Sequence, residues 1–123
     1  EIVMGVYKGI AQDNVTISSG RAKLGFLSRG IPAIKTASFT VADDETHIVC
    51  NGAASITVTL PSASTWVGRE IFIKTIAAQT VVSAATNVKP IATNTAGTAI
   101  LAGTAGTWAL LVSDGTNWVV MAS

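Results

Sequence analysis

Residues 107–121 restrict the fold more than any other part of the chain. Thr107-Trp108-Ala109-Leu110-Leu111-Val112 and Trp118-Val119-Val120-Met121 are two apolar runs joined by Ser113-Asp114-Gly115-Thr116-Asn117. Asp-Gly in a short polar connection between apolar runs signals a hairpin, because glycine accepts the positive φ such turns need. Successive strand residues point to opposite faces. Trp108, Leu110 and Val112 alternate with Ala109 and Leu111, and Trp118 and Val120 alternate with Val119 and Met121. Both strands are therefore apolar on both faces, and such a ribbon needs cover on each side. The rest of a small domain covers one side. Another copy of the chain is the simplest cover for the other, so Trp108, Leu110, Val112, Trp118 and Val120 are the expected oligomer interface.

The charge distribution points the same way. Of 123 residues, 12% are charged and 49% are hydrophobic, against about 25% charged in an ordinary soluble domain. Residues 1–74 hold 13 of the charges, and residues 75–123 hold two, Lys89 and Asp114. Disordered chains combine low hydrophobicity with high net charge, which excludes that class here. No apolar run is long enough for a membrane helix, and an eight-stranded membrane barrel would consume the whole chain. Net charge is +1, with no block of Lys or Arg to make a footprint on nucleic acid. The length is that of one domain. The chain opens on Glu1 rather than a methionine, so we expect a piece or processed product of a longer one.

Strand alternation recurs upstream. In Ser55–Leu60, Ile56, Val58 and Leu60 share one face, and Pro61 ends the strand. In Glu70–Lys74, Ile71 and Ile73 point one way, Phe72 and Lys74 the other. Ala37–Val41 and Thr46–Cys50 flank the polar turn Ala42-Asp43-Asp44-Glu45. Asn51-Gly52 marks a tight turn, and Thr80–Ala84 is a further strand. Ala-Gly-Thr recurs at 96–98, 102–104 and 105–107, a spacing too irregular to define a solenoid. The small residues of 84–106 suit a crowded axis between subunits. Residues 1–35 differ. They hold five of the eight basic residues, and Ile2–Tyr7, Asn14–Ser18 and Ala22–Leu27 read as strands. We divide the chain into a 1–35 attachment or shaft segment and a 36–123 β-domain.

No constellation carries catalysis. His47 is the sole histidine, and no second His or Cys stands at ligand spacing, where zinc needs three or four protein ligands. Asp43, Asp44 and Glu45 put three oxygen donors together, the better case for calcium, yet they suit a turn. No Gly-x-Ser-x-Gly elbow or phosphate loop occurs. Cys50 is the one cysteine and reads as a buried hydrophobe. We expect no catalytic residue, cofactor or metal. Trp66, in the loop 64–68, is a candidate for stacking on a sugar ring.

Residues 36–123 resemble a module at the C-terminal ends of tailed-phage virion proteins, chiefly tail fibres and similar appendages. The shared order is the acidic turn after Phe39–Val41, the strand ending in Leu60-Pro61, and a loop closing on Val67-Gly68. A hydrophobic strand Ile71–Ile76 and a Thr/Ala/Gly-rich middle follow, then Asp114-Gly115-Thr116-Asn117-Trp118 before a last strand. The span 88–106 departs from the pattern, since relatives often carry an acidic residue near its middle. The resemblance implies an all-β, antiparallel β-sandwich or β-prism-like domain assembled as a homotrimer. It implies a non-enzymatic virion component that contacts other virion proteins and a host-surface glycan or protein. A capsid decoration protein gripping the shell through residues 1–35 is an alternative, and a stand-alone carbohydrate-binding module is another.

Overall fold

The computed structural model describes residues 19–21 and 23–123, and helix is absent from them. Ten strands follow one another: β1 (Ala33–Lys35), β2 (Phe39–Thr40), β3 (His47–Cys50), β4 (Ile56–Thr59) and β5 (Glu70–Thr75). β6 (Val81–Ser83), β7 (Val88–Lys89), β8 (Ala99–Leu101), β9 (Trp108–Ser113) and β10 (Trp118–Ala122) complete the chain. They form a six-stranded sheet, β1-β3-β5-β9-β10-β7, and a four-stranded sheet, β2-β4-β6-β8. Up to β9 the chain changes sheet at every strand.

That alternation is a winding. From β2 to β5, each strand is the crossover between two parallel strands of the other sheet. Parallel neighbours need a crossover of about a dozen residues or more, and the other sheet's strand occupies it. β3 lies parallel to β1 and to β5, and β4 lies parallel to β2 and to β6. Ile48 pairs with Ala33 and Ile73 with Ile48, steps of 15 and 25 residues. Val58 pairs with Phe39 and Val81 with Ile56, steps of 19 and 25. The winding closes on three antiparallel pairs, β5–β9, β9–β10 and β6–β8. The sheets are therefore mixed, and the antiparallel character expected from the sequence is corrected. The sequence reads turns at Ala42–Glu45 and Asn51-Gly52, each between two strands. Both turns carry the chain from one sheet to the other.

In-register stacking follows from the equal steps. Ile73 stacks on Ile48, Thr75 on Cys50, Val81 on Ile56 and Ser83 on Val58, and all eight are buried in the core between the sheets. Thr75 and Ser83 bring hydroxyls inside, and burying one without a partner is costly. Thr75 Oγ1 donates to the Ala77 carbonyl at 2.8 Å, and Ser83 Oγ donates to Asn87 Oδ1 at 2.6 Å. Gly52 sits where a Cβ would come within 3.0 Å of the Ala54 carbonyl and the Ile56 side chain. A close approach, rather than an unusual φ, demands glycine there.

Trp118 locks the hairpin onto the winding. It is the largest fully buried side chain, and its indole Nε1 donates to the Pro61 carbonyl at 2.9 Å. Ser113 Oγ donates to the Ala63 carbonyl at 2.7 Å. The Leu60-Pro61 segment and the Asp114–Trp118 segment, distant in sequence, are thus in direct contact. Between the hairpin strands, Asp114 Oδ1 accepts from the Thr116 and Asn117 amides at 2.9 and 2.7 Å, and Gly115 takes φ 93°.

Other expectations divide. β4, β5, β6 and the hairpin fall where alternation puts them. Lys23–Leu27 forms no strand, while Ile2–Tyr7 and Asn14–Ser18 lie outside the described residues. β7 and β8 form inside the small-residue tract. β1 precedes the expected boundary at 35/36, yet all three of its residues pair with β3.

Removing a large buried aromatic costs about 3–5 kcal/mol. Trp118→Ala should therefore lower unfolding free energy by about that amount in a urea titration. Trp118→Phe, which keeps most volume but loses the bond to Pro61, should cost clearly less. Equal stability of the native chain and the alanine variant would contradict this packing.

Candidate functional site

The outer face of the six-stranded sheet is where the structure departs most from an ordinary solvated surface. Register assigns three rows across it. Ile34, Val49, Lys74 and Trp108 make the first. His47, Phe72, Leu110 and Ala122 make the second. Glu70, Val112, Val119 and Lys89 make the third. The centre is aliphatic and aromatic, and the two ends of the third row are charged. Trp108 is 45% exposed and Ile34 68%. The His47 and Phe72 rings stack at 5.4 Å, 13° from parallel, as neighbours on parallel strands in register must. Pro32, His47, Val49, Phe72, Lys74 and Trp108 border a depression of about 360 Å³.

The small sheet makes the contrast. Its outer face pairs Thr40 with Thr59, and Thr57 with Val82. Three of these four are threonines, whose short hydroxylated side chains are at ease in water. The two sheets share one winding, so topology does not account for the difference; the sequence has placed large apolar groups on one side only.

Charged groups rim the apolar face and are matched. Arg29 meets Glu70 at 3.2 Å and Lys89 meets Asp114 at 3.3 Å. Lys74 makes no ion pair among the described residues and stands beside Val49 and Trp108 in the first row.

The five residues expected at an interface do not share a surface. Trp108, Leu110 and Val112 lie on the outer face. Trp118 and Val120 point into the core and are buried within the single chain. The antiparallel register decides this, since Trp118 pairs with Ser113 and Val120 with Leu111, both inward-facing. Alternation within each strand sorts its residues into two sets but cannot say which set of one strand joins which set of the other. Phe72, Val49 and Val119 belong to the outer face and were missed, although their place in alternating strands was a usable signal for Phe72.

The remaining candidates have structural occupations. Trp66 lies under the Arg69 guanidinium, 4.6 Å from the ring, so one of its faces is already taken. Arg69 Nη2 also donates to the carbonyls of Ala42 and Glu45, both at 2.8 Å, joining the acidic turn to the loop before β5. Its Nη1 is buried and has no hydrogen-bond partner among the described residues. The Glu45 carboxylate receives Lys35 Nζ at 2.5 Å and the Ala42 amide at 3.0 Å. It is therefore spoken for, and no group of three potential metal ligands gathers among the described residues. His47 and Cys50 face opposite sides of β3, as alternation requires.

Burial raises the Glu45 pKa, but it is outweighed by the hydrogen bonds from Lys35 and Ala42 and the charges of Lys35 and Arg69. The net result lies below the ordinary 4.5. The Asn117 and Thr116 amides likewise hold Asp114 below its ordinary value. Burial alone pushes the Cys50 thiol up to about 11, which leaves it a neutral, unreactive thiol near neutrality.

Comparison with family models, with curated proteins and with solved structures finds no match to the chain.

Two measurements check these environments. A lowered folded-state carboxylate pKa contributes stability above the unfolded value, and that stability is lost as pH falls through the folded one. Thermal midpoints should fall as pH drops below about 4.5, and Glu45→Gln should flatten part of that fall. An unchanged slope in the variant would show that Glu45 is not the source. Separately, Cys50 should resist a thiol reagent at mildly alkaline pH until denaturant is added; rapid labelling of the folded chain would contradict its burial.

Proposed function

We propose that this chain is a non-enzymatic structural component of a tailed-phage virion, the tip of a tail fibre or related appendage, assembled as a homotrimer. The observation that carries the assembly is the apolar outer face of the six-stranded sheet. Contiguous exposed apolar surface marks an interaction site. In the assembled particle the two sheets act as a β-sandwich or prism-like unit whose large sheet faces its neighbours. The threonine-lined small sheet then faces solvent.

The virion assignment itself rests on the resemblance of residues 36–123 to C-terminal phage appendage modules. The contact between Leu60-Pro61 and Asp114–Trp118 supports it physically, since the two most specific parts of that pattern form one buried junction. A host-surface glycan or protein is the outer partner in this reading. Capsid decoration is the second location, favoured by the basic bias of residues 1–35, which suits docking onto an acidic shell. A solitary carbohydrate-binding module fits less well, because it leaves the apolar face uncovered.

Immunogold labelling of purified particles is the direct test. Label at the tail tip supports the first location and label over the head the second. Particles that exclude the protein altogether would sink the virion reading. Sedimentation equilibrium on the purified chain should give three times the 12.6 kDa chain mass; a stable monomer would remove the assembly argument.

A further inference from the structure

Five basic residues stand from Arg29 onward, and four of them are occupied. Arg29 pairs with Glu70, Lys35 with Glu45 and Lys89 with Asp114, while Arg69 donates to two backbone carbonyls. The fifth, Lys74, has no ion pair among the described residues. It borders the depression of about 360 Å³ in the outer face, together with Pro32, His47, Val49, Phe72 and Trp108. Among the described residues no carboxylate lines that depression, so its one fixed charge is positive and unmatched.

We propose that this depression binds a small apolar carboxylate, with the body of the acid against the rings and its carboxylate on Lys74 Nζ. Size and lining fit that class. Ligand pockets run from about 300 to 1,000 Å³ and are mostly apolar, with a few polar groups that fix orientation. Lys74 and His47 are the only polar side chains of this lining.

Placement fits as well. Register sets Lys74 between Val49 and Trp108 in one row, and the stacked His47 and Phe72 rings stand in the next. Trp108 is 45% exposed, so much of its ring is open to a ligand. One molecule can therefore meet a cation at one end and apolar surface along its length.

Charge narrows the class further. One ammonium matches one negative charge. A phosphate group brings about −1.5 to −2 charge and three strong acceptor oxygens, more than this lining can meet. Backbone amides do not make up the difference, because β3 and β5 are interior strands whose amides serve the sheet. A sugar would set most of its hydroxyls against apolar walls. The imidazole of His47 carries at least one N–H in either protonation state, a second donor for a carboxylate. Leu110, Val112 and Val119 lie on the same face outside the depression, so the ligand takes only part of the surface assigned to assembly and does not require assembly to bind.

Isothermal titration calorimetry on the full chain tests this with three probes. Octanoate is the apolar carboxylate, octanol its uncharged counterpart, and glucuronate a carboxylate on a polar body. Octanoate should bind saturably, one per chain, and more tightly than octanol; glucuronate should not bind. Lys74→Gln should weaken octanoate about tenfold, the worth of one charge-assisted hydrogen bond, and leave octanol unchanged. Trp108→Ser should weaken both. Lys89→Gln, at the end of the third row, should change neither. Equal octanoate binding by the native and Lys74→Gln chains would mean an apolar surface without an anion site and would overturn the proposal. So would the lack of saturable octanoate binding in any oligomeric state, or glucuronate bound as tightly as octanoate. Sedimentation of the same samples keeps the two readings apart: a monomer that binds octanoate removes self-assembly and leaves this site standing.

Discussion

The buried indole of Trp118 is the interaction on which the rest of the molecule depends. Its ring fills the core beneath the hairpin, and its Nε1 reaches the Pro61 carbonyl. That single side chain joins the last strand to the loop that follows β4, across most of the β-domain. Without it the winding would have no lid at this end, because β10 also carries β7 at its outer edge. Ser113, paired directly with Trp118 across the hairpin, repeats the attachment through Ala63. Both bonds satisfy polar groups that would otherwise be buried alone, at a cost of about 1–3 kcal/mol each.

A second set of ties continues from the same loop, whose Arg69 carbonyl accepts from the Ser113 amide. Arg69 holds the acidic turn by two carbonyls and covers Trp66, while Lys35 meets Glu45 beside the edge strand β1. Arg29, Lys35, Glu45, Arg69 and Glu70 thus fasten separate passages of the chain to one another. The C-terminal part has only Lys89 and Asp114, which pair with each other. Its cohesion comes from apolar packing, and the same apolar excess spills onto the outer face. Core packing and the apolar outer face are therefore coupled by composition: a hairpin rich enough to close the core on one face has no polar residues left for the other.

Much of this was legible in particular residues. Ile56/Val58 and Ile71/Ile73 alternate with polar or larger neighbours, and each pair faces the core as period-two geometry requires. Asp114-Gly115 marks the hairpin because only a few residue types suit its turn. The two-residue and three-residue strands β7 and β8 were not legible. They lie in a Thr/Ala/Gly tract with no apolar run long enough to register, and they exist because β10 and β6 offer open edges. The winding was hidden for another reason. Its steps of 15, 19 and 25 residues repeat a spatial path without repeating a sequence, and the Ala-Gly-Thr tripeptides that do repeat do not follow those steps, meeting Thr75, Ser83 and Val88 only at strand ends.

By itself, the sequence determined that the chain is all-β, where its main strands lie, and that its hairpin is apolar on both faces. Those properties are local, set by side-chain alternation and turn chemistry over a few residues. Only the tertiary structure decided which strands are parallel, that the chain alternates between sheets, and that Trp108 is outside while Trp118 is inside. Those depend on the pairing register between distant segments. A shift of one residue reverses every side chain of a strand, and no short stretch of sequence carries that information.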